Sequence, residues 1–302
     1  MRNIDLDDLE IVHAVIAHGG VARAAQALHR VPSNVTTRIK QLEARLGVAL
    51  FARRGRGLAP TAEGRLLHGY AERLLRLADE TESALRAGRL LGTLRLGSLE
   101  STAGSRLPQV LARYNRAHPA VRIELVTGTT AALIARLARH DIEAAFVSEP
   151  FCAPGLLAQP VFEEELVLIS GGGVAAVSSP PDLGRTTLIA FASGCSYRRR
   201  LEEWLAAAGV LPEGVLEFAS YPAIVACVAA GTGVAVVPRS VLAGLKAAES
   251  VRQHALPPTF AYSRTHLLWH PGQASLALQG LRAVLADGCR EAGVTVAAPA
   301  GA

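Results

Sequence analysis

The stretch that most constrains this chain is Val21 to Leu46, where two short helical patterns meet at a tight turn. Val21-Ala-Arg-Ala-Ala-Gln-Ala-Leu28 is Ala-rich and helix-favouring, with Gly19-Gly20 marking its start. After the short connection His29-Arg30-Val31, Pro32 suits the first turn of a second helix, where its missing N–H would have no partner anyway. Val35, Ile39, Leu42 and Leu46 recur by four, three and four, which gives one narrow apolar stripe. The opposite face carries Ser33, Thr37, Lys40 and Gln41, flanked by Asn34, Thr36 and Arg38. A helix laid in a major groove needs such small hydrogen-bonding side chains and cations. An ordinary amphipathic surface helix would show the same spacing, so this stretch alone leaves both readings open.

The residues that follow favour the groove. The apolar run Val48-Ala-Leu-Phe51 leads into Ala52-Arg-Arg-Gly-Arg-Gly-Leu58 and then Ala59-Pro60-Thr61. Two short strands around a Gly/Arg tip form a wing, and Arg53, Arg54 and Arg56 are placed to reach phosphates or the minor groove. From Gly20 to Pro60 there are eight cations (Arg23, Arg30, Arg38, Lys40, Arg45, Arg53, Arg54 and Arg56) against the single acid Glu43. The whole chain is only +5, so its positive charge is concentrated here, as a polyanion partner requires.

Leu9 to Leu67 resembles the winged helix-turn-helix of LysR-type transcriptional regulators. The matching pieces are Ala24-Ala25-x-x-Leu28, Val35, Ile39, the run Leu42-Glu43-x-x-Leu46-Gly47-x-x-Leu50-Phe51-x-Arg53, and Thr61-x-x-Gly64. Three positions depart from the family pattern. Gly20 stands where a capping Ser is usual, Val31-Pro32 replaces Ser-Gln, and Thr36-Thr37 replaces Ser-Arg, which points to a different base preference. The resemblance implies double-stranded promoter DNA as a partner. Ser33, Asn34, Thr36, Thr37, Arg38, Lys40, Gln41, Arg53, Arg54 and Arg56 are the expected contacts, with Thr37 and Arg38 setting site preference.

Upstream, Asp5 to Ala17 reads as a first helix, capped by Asp5, with Asp7 and Asp8 at its positive end and Leu9, Val12 and Ile16 along its buried edge. Downstream, Thr61 to about Leu90 is a long helix of about 45 Å at 1.5 Å per residue. Leu67, Tyr70, Leu74, Leu77, Thr81 and Ala84 alternate by three and four along it, as in a coiled-coil seam. Such a helix has little of its own domain to cover it, so a second copy is the expected partner, although burial on its own C-terminal domain would also account for the pattern. The family resemblance supports a homodimer or homotetramer reading paired half-sites.

Beyond Gly88 to Gly92 the pattern becomes strands alternating with helices, which implies a mainly parallel sheet. Strands are expected at Thr93–Gly97, Val121–Val126 and Ile142–Val147, separated by helices at Thr102–Ala117 and Thr130–Arg139. After a turn at Gly171-Gly172-Gly173 the alternation resumes with strands near Leu188, Val215 and Val234, and it closes with His266–Trp269 and a helix from Ser275 to Glu291. Two lobes joined by crossovers near Glu163 and Arg264 resemble the periplasmic-binding-protein-like effector domain of the same family. The expected fold is therefore α/β overall. Residues 1–60 form the winged helix-turn-helix, 61–90 the dimerisation linker helix, and 91–302 an effector-binding domain of two α/β lobes. Lobe I covers about 91–162 and 266–302, and lobe II about 163–265.

In open parallel sheets, ligands sit beyond the carboxyl ends of strands, near helix N-termini. Small hydroxyls gather at those positions: Ser98, Ser101 and Thr102; Thr127, Thr129 and Thr130; Ser148; Ser193 and Ser196. Family members hold small-molecule effectors, usually carboxylates or other anions, at such positions, so that role is carried to Ser98, Ser101, Thr102, Thr129, Ser148 and Ser196. Helix capping explains each hydroxyl equally well. Arg198 favours an anionic effector, whereas Glu100 and Glu149 at the same rim would accept an amine or amino acid.

The four cysteines, Cys152, Cys195, Cys227 and Cys289, are scattered without a CxxC pair, which suits a reduced cytoplasmic protein. Cys195 near Arg198 to Arg200 could have a lowered pKa and sense oxidants, although a lone cysteine is more often inert. His266 and His270 lack a third ligand type, so no metal is expected, nor any cofactor. No nucleophile elbow, phosphate loop or dinucleotide fingerprint is present, and no catalytic residue is assigned. The competing readings are a solute-binding or enzymatic α/β protein with an accessory DNA-binding module, and a sequence-independent architectural DNA binder. The Asn/Thr-rich reading face argues against the second of these.

Overall fold

The computed structural model describes residues 3–54, 57–85, 92–272 and 274–291, in two compact units, Met1–Arg89 and Leu90–Ala302. The break expected at Gly88 to Gly92 lies outside the described residues apart from Gly92.

The first unit contains α1 (Leu6–Ala17), α2 (Val21–Ala27), α3 (Pro32–Leu46), the hairpin β1 (Phe51–Arg54) and β2 (Gly57–Pro60), and α4 (Ala62–Leu85). Asp5 caps α1 in a reciprocal box with Asp8. Gly47, at φ 72°, ends α3 in the left-handed conformation that costs glycine least. Ile11, Val12, Val15, Ala24, Ala25, Val35, Ile39, Leu42 and Leu50 form the shared core. Glu43, the one acid of the basic stretch, is a structural tie, accepting the N–H groups of Leu50 and Phe51 at 2.7 and 3.1 Å. The Thr61-x-x-Gly64 pattern has a steric reason. Thr61 Oγ1 accepts the Gly64 N–H at 3.0 Å, and a Cβ on Gly64 would lie 2.0 Å from the Leu50 carbonyl oxygen.

The first half of α4 packs on α1, which corrects the expectation that this helix lacks cover in its own domain. Ala71 is buried and Leu67 packs on the core. The outward stripe is therefore Leu66, Tyr70, Leu74 and Leu77, with Leu66 in the place expected of Leu67, and Thr81 exposed beyond them. The Ala84 side chain lies outside the described residues.

The second unit runs β3 (Gly92–Ser98), α5 (Glu100–Ser105), α6 (Leu107–Ala117), β4 (Val121–Thr127), α7 (Thr130–Ala138), β5 (Ala144–Ser148) and β6 (Leu157–Gly171). It continues with β7 (Thr187–Ala190), α8 (Ser196–Ala207), β8 (Gly214–Glu217), α9 (Tyr221–Ala229), β9 (Ala235–Pro238) and α10 (Arg239–Leu242). It ends with β10 (Val251–Ala255), α11 (Pro258–Ala261), β11 (Tyr262–Trp269) and α12 (Leu276–Glu291). The main sheet has the order β10-β6-β11-β5-β3-β4, with β9 also on β6.

That sheet is mixed rather than mainly parallel. β3 is parallel to β4 and β5, whereas β11 is antiparallel to β5 and β6, and β9 and β10 are antiparallel to β6. The single long strand β6 serves both lobes. Leu157–Glu165 pairs with β11 and Leu166–Gly171 with β9 and β10. The two crossovers expected near Glu163 and Arg264 are direct partners in the ladder. The central strand β5 is buried on both faces. Ala144 and Phe146 enter one apolar cluster, while Ala145 and Val147 enter another. The helix expected over Thr102–Ala117 breaks at Arg106, ahead of Pro108. Among the described residues, no helix is long and apolar enough to cross a membrane.

Candidate functional site

On α3, Ser33, Asn34, Thr37, Lys40 and Gln41 are exposed, while Val35, Ile39 and Leu42 on the opposite side are buried. Two residues expected on the reading face have other tasks. Thr36 Oγ1 donates back to the Pro32 carbonyl at 2.9 Å. The Arg38 guanidinium lies against three acids of the α1 region, at 3.3 Å from Asp5, 2.8 Å from Asp7 and 3.0 Å from Asp8. Arg30 binds Asp7, and Arg45 binds Asp8. The Arg30 hydrogen bond holds the Asp7 carboxyl below the usual aspartate range. Part of the positive charge counted in the sequence is therefore neutralised by Asp5, Asp7 and Asp8. Lys40 and Arg53 remain exposed. Arg54 stands in β1, but its side chain lies outside the described residues, as does the whole of Arg56.

In the second unit, the carboxyl ends of β3, β4 and β5 face the N-termini of α8 and α9 across a small cavity. Glu100, Ser101, Ser148, Phe191, Tyr197 and Tyr221 line it, and Thr129 and Ser196 complete its rim. Its own space is about 20 Å³, enough for roughly one water, and clefts of about 310 and 480 Å³ between the lobes flank it. Several hydrogen bonds fasten the lobes. Ser196 Oγ donates to the Ser148 carbonyl at 2.7 Å and lies 2.8 Å from Thr130 Oγ1. The Ala131 N–H donates to the Gly194 carbonyl at 3.3 Å. Burial pushes the Glu100 carboxyl above its ordinary pKa, only partly offset by the nearby Tyr221 backbone N–H.

The six hydroxyls assigned to an effector separate into two groups. Ser98 Oγ donates to the Leu99 carbonyl, Thr129 Oγ1 caps α7 by accepting from Ala132, Ser148 Oγ pairs with Ser263 Oγ at 2.6 Å, and Ser196 fastens the lobes. Ser101 and Thr102 are different, since neither buried hydroxyl meets full hydrogen-bond geometry, although Ser101 lies beside Tyr197 and Tyr221. Of the six, Ser98 and Thr102 do not line the cavity. Sequence reasoning missed the two tyrosines. Tyr197 Oη is also buried, near the Ser101 and Ser148 side chains, and burial pushes its phenol up to about 12. Tyr221 is raised by the same cause. Their positions at the starts of α8 and α9 were the available signal.

The charges around the cleft also differ from the sequence expectation. Arg198 is paired with Glu202 and Glu217, and Glu149 with His266 and Arg264. Glu100 is left as the one charged side chain lining the cavity among the described residues. Cys195 is buried, and burial pushes its thiol up despite the nearby helix N–H groups, against the lowered value a redox sensor needs.

Comparison with known proteins agrees with this architecture. Residues 6–65 match the model of the bacterial regulatory helix-turn-helix protein of the lysR family, and residues 87–290 match the LysR substrate binding domain. The HTH-type transcriptional regulator GltR of Bacillus subtilis is 36% identical over 264 residues, spanning 87% of this chain and 88% of the relative. The uncharacterized regulator YusT of the same organism is 37% identical over 266 residues, spanning 86% of this chain and 88% of YusT. Among solved structures, a full-length OxyR variant from Pseudomonas aeruginosa superposes with a TM-score of 0.72 at 21% identity, covering 96% of each chain. Full-length CbnR, solved in complex with its target DNA, superposes with a TM-score of 0.67 at 23% identity, covering 94% of this chain and 99% of CbnR. With both family domains present in order, and the helix-turn-helix and two-lobed unit built as described, the chain belongs to the LysR family of DNA-binding transcriptional regulators with an effector-binding domain.

Proposed function

We propose that this regulator works in the cytoplasm as a dimer or a tetramer, paired through the Leu66, Tyr70, Leu74 and Leu77 stripe of α4, and acts by binding and not by turnover. Ser33, Asn34, Thr37, Lys40 and Gln41 would read base edges in the major groove, with Arg53 and the wing arginines on the backbone. The effector is a small amino-acid-like molecule held between the lobes. Its amine meets Glu100, and its remaining polar atoms satisfy Ser101 and Tyr197. Entry requires the lobes to part, and the ligand shifts the balance between open and closed forms.

The observation that carries this reading is the pair of hydroxyls, Ser101 Oγ and Tyr197 Oη, buried side by side next to the Glu100 carboxylate at the seam of two lobes, near each other but short of full hydrogen-bond geometry. Such groups cost free energy until something pairs with them. The test is a footprint of the full chain on the promoter region beside its own gene, with amino acids, amines and dicarboxylates added in turn. An amine-bearing compound should alter the footprint, and Glu100→Gln should remove that response while leaving basal DNA affinity in place. A response to dicarboxylates alone would overturn the effector assignment.

A further inference from the structure

α1 and α4 meet at a cluster that neither DNA reading nor effector binding uses. His13 of α1 stacks on His68 of α4, with ring centroids 5.1 Å apart and planes 5° from parallel. One turn along α4, Glu72 faces both rings. Its Oε1 lies 3.8 Å from His13 Nδ1 and 4.0 Å from His68 Nε2. The three potential ligand atoms all lie within 4.8 Å of one another. His68 Nε2 is buried without a hydrogen-bond partner.

These separations are too long for direct hydrogen bonds and short enough for an atom between them. We infer that His13, His68 and Glu72 form a binding site for one divalent cation of the zinc type, with water in the remaining position. Two imidazoles and one carboxylate are a donor set that suits Zn²⁺, Co²⁺ or Ni²⁺, whereas Mg²⁺ and Ca²⁺ prefer oxygen alone. Bond lengths of about 2.0–2.2 Å place tetrahedral ligand atoms about 3.3 Å apart, so Glu72 closes on the two rings by roughly 0.5–0.7 Å and the rings on each other by up to about 1.5 Å.

The cluster also has a defined place in the helix. At about 100° per residue, His68 and Glu72 lie on the side of α4 opposite Leu66, Tyr70, Leu74 and Leu77. A bound cation therefore pins α4 to α1 and leaves the exposed stripe free. It ties the helix that carries that stripe to the core of the DNA-reading unit.

The test uses the full-length protein stripped with a chelator and titrated with Co²⁺, then with Zn²⁺ as competitor. One Co²⁺ per chain should give visible d–d absorption that Zn²⁺ displaces, and saturating Zn²⁺ should raise the melting temperature by several degrees. His68→Gln and Glu72→Gln should each weaken this step more than tenfold, in line with loss of a ligand. His118→Gln, in the other unit, should bind as the unaltered protein does. The inference is overturned if the unaltered protein takes up no Co²⁺ at micromolar concentration, or if a folded His68→Gln protein keeps the same spectrum and affinity. Should His68→Gln fail to fold, Glu72→Gln carries the same comparison.

Discussion

Arg38 of α3 holds its guanidinium 3.0 Å from the carboxylate of Asp8, a side chain only 1% exposed. A residue expected to read DNA is thereby part of the frame that fixes α3 against α1. Arg45 shares the same carboxylate, so Asp8 is bracketed by two cations.

Arg38→Ala should therefore act on stability more than on site preference. Because Arg45 stays in place, the expected cost is about 1–3 kcal/mol, below the full penalty of stranding a buried charge. Thr37→Ala and Gln41→Ala should do the reverse, losing about 1–3 kcal/mol of discrimination with stability changed by less than about 0.5 kcal/mol. Urea unfolding and competition between specific and scrambled duplexes separate the two outcomes.

The pairing of Asp7 with Arg30 predicts acid sensitivity of the first unit. Arg30 lowers the Asp7 pKa in the folded state, so the pair stabilises fully above the ordinary aspartate value of about 3.9. That contribution is lost as pH falls through the depressed native value. Arg30→Gln should flatten the decline in stability below about pH 4, read by circular dichroism across a pH series.

The Gly64 position predicts a large effect from a small change. A methyl group there meets the Leu50 carbonyl at 2.0 Å, and backbone cannot move aside cheaply. Gly64→Ala should cost about 3 kcal/mol or more by separating α4 from the end of α3. Gly69→Ala, with nothing within 4 Å of the added carbon, should cost nothing and slightly favour the helix. Thermal melts of both variants make the comparison.

The α4 stripe predicts the assembly state. Leu66, Tyr70, Leu74 and Leu77 are 65, 51, 45 and 58% exposed, an unusual row of large apolar side chains for an isolated surface. Leu74→Glu should raise the dissociation constant of the dimer by at least about tenfold, given about 1.4 kcal/mol per decade and the loss of a buried leucine. Sedimentation should show monomers with unchanged helical content. Dimers of unchanged affinity would place the contact elsewhere.

The two thiols near the cleft should differ in reactivity. Cys152 is exposed, while Cys195 is buried with its thiol pushed up. Ellman's reagent should consume Cys152 at least about tenfold faster than Cys195, because burial shields the Cys195 thiol and disfavours its thiolate. Mass spectrometry of partly labelled protein reads the order directly.

Most of the first unit was legible locally. The spacing of Val35, Ile39 and Leu42 placed α3 and its buried side correctly, and Pro32 marked its start. The same period could not choose between Leu66 and Leu67 on α4, because adjacent residues lie only about 100° apart and the position of α1 decides which one is covered. In the second unit, β6 was missed. It carries Pro160 and the run Glu163-Glu164-Glu165, which read as a connection, while its partners come from residues far along the chain. The cleft followed the same logic. Hydroxyls at strand ends were visible in order, but whether each was spent on a cap, a neighbour or nothing depended on side chains from the other lobe.

The order of amino acids by itself determined the helix-turn-helix, the wing, the long helix and the alternating lobes, since each is written as a local period or a breaker residue. Tertiary structure alone decided that Arg38 binds Asp8, that Arg198 is taken up by Glu202 and Glu217, and that His13 meets His68 and Glu72. Charges and hydrogen bonds act over a few ångströms of space, and no periodicity along the chain records which distant side chains folding brings within that range.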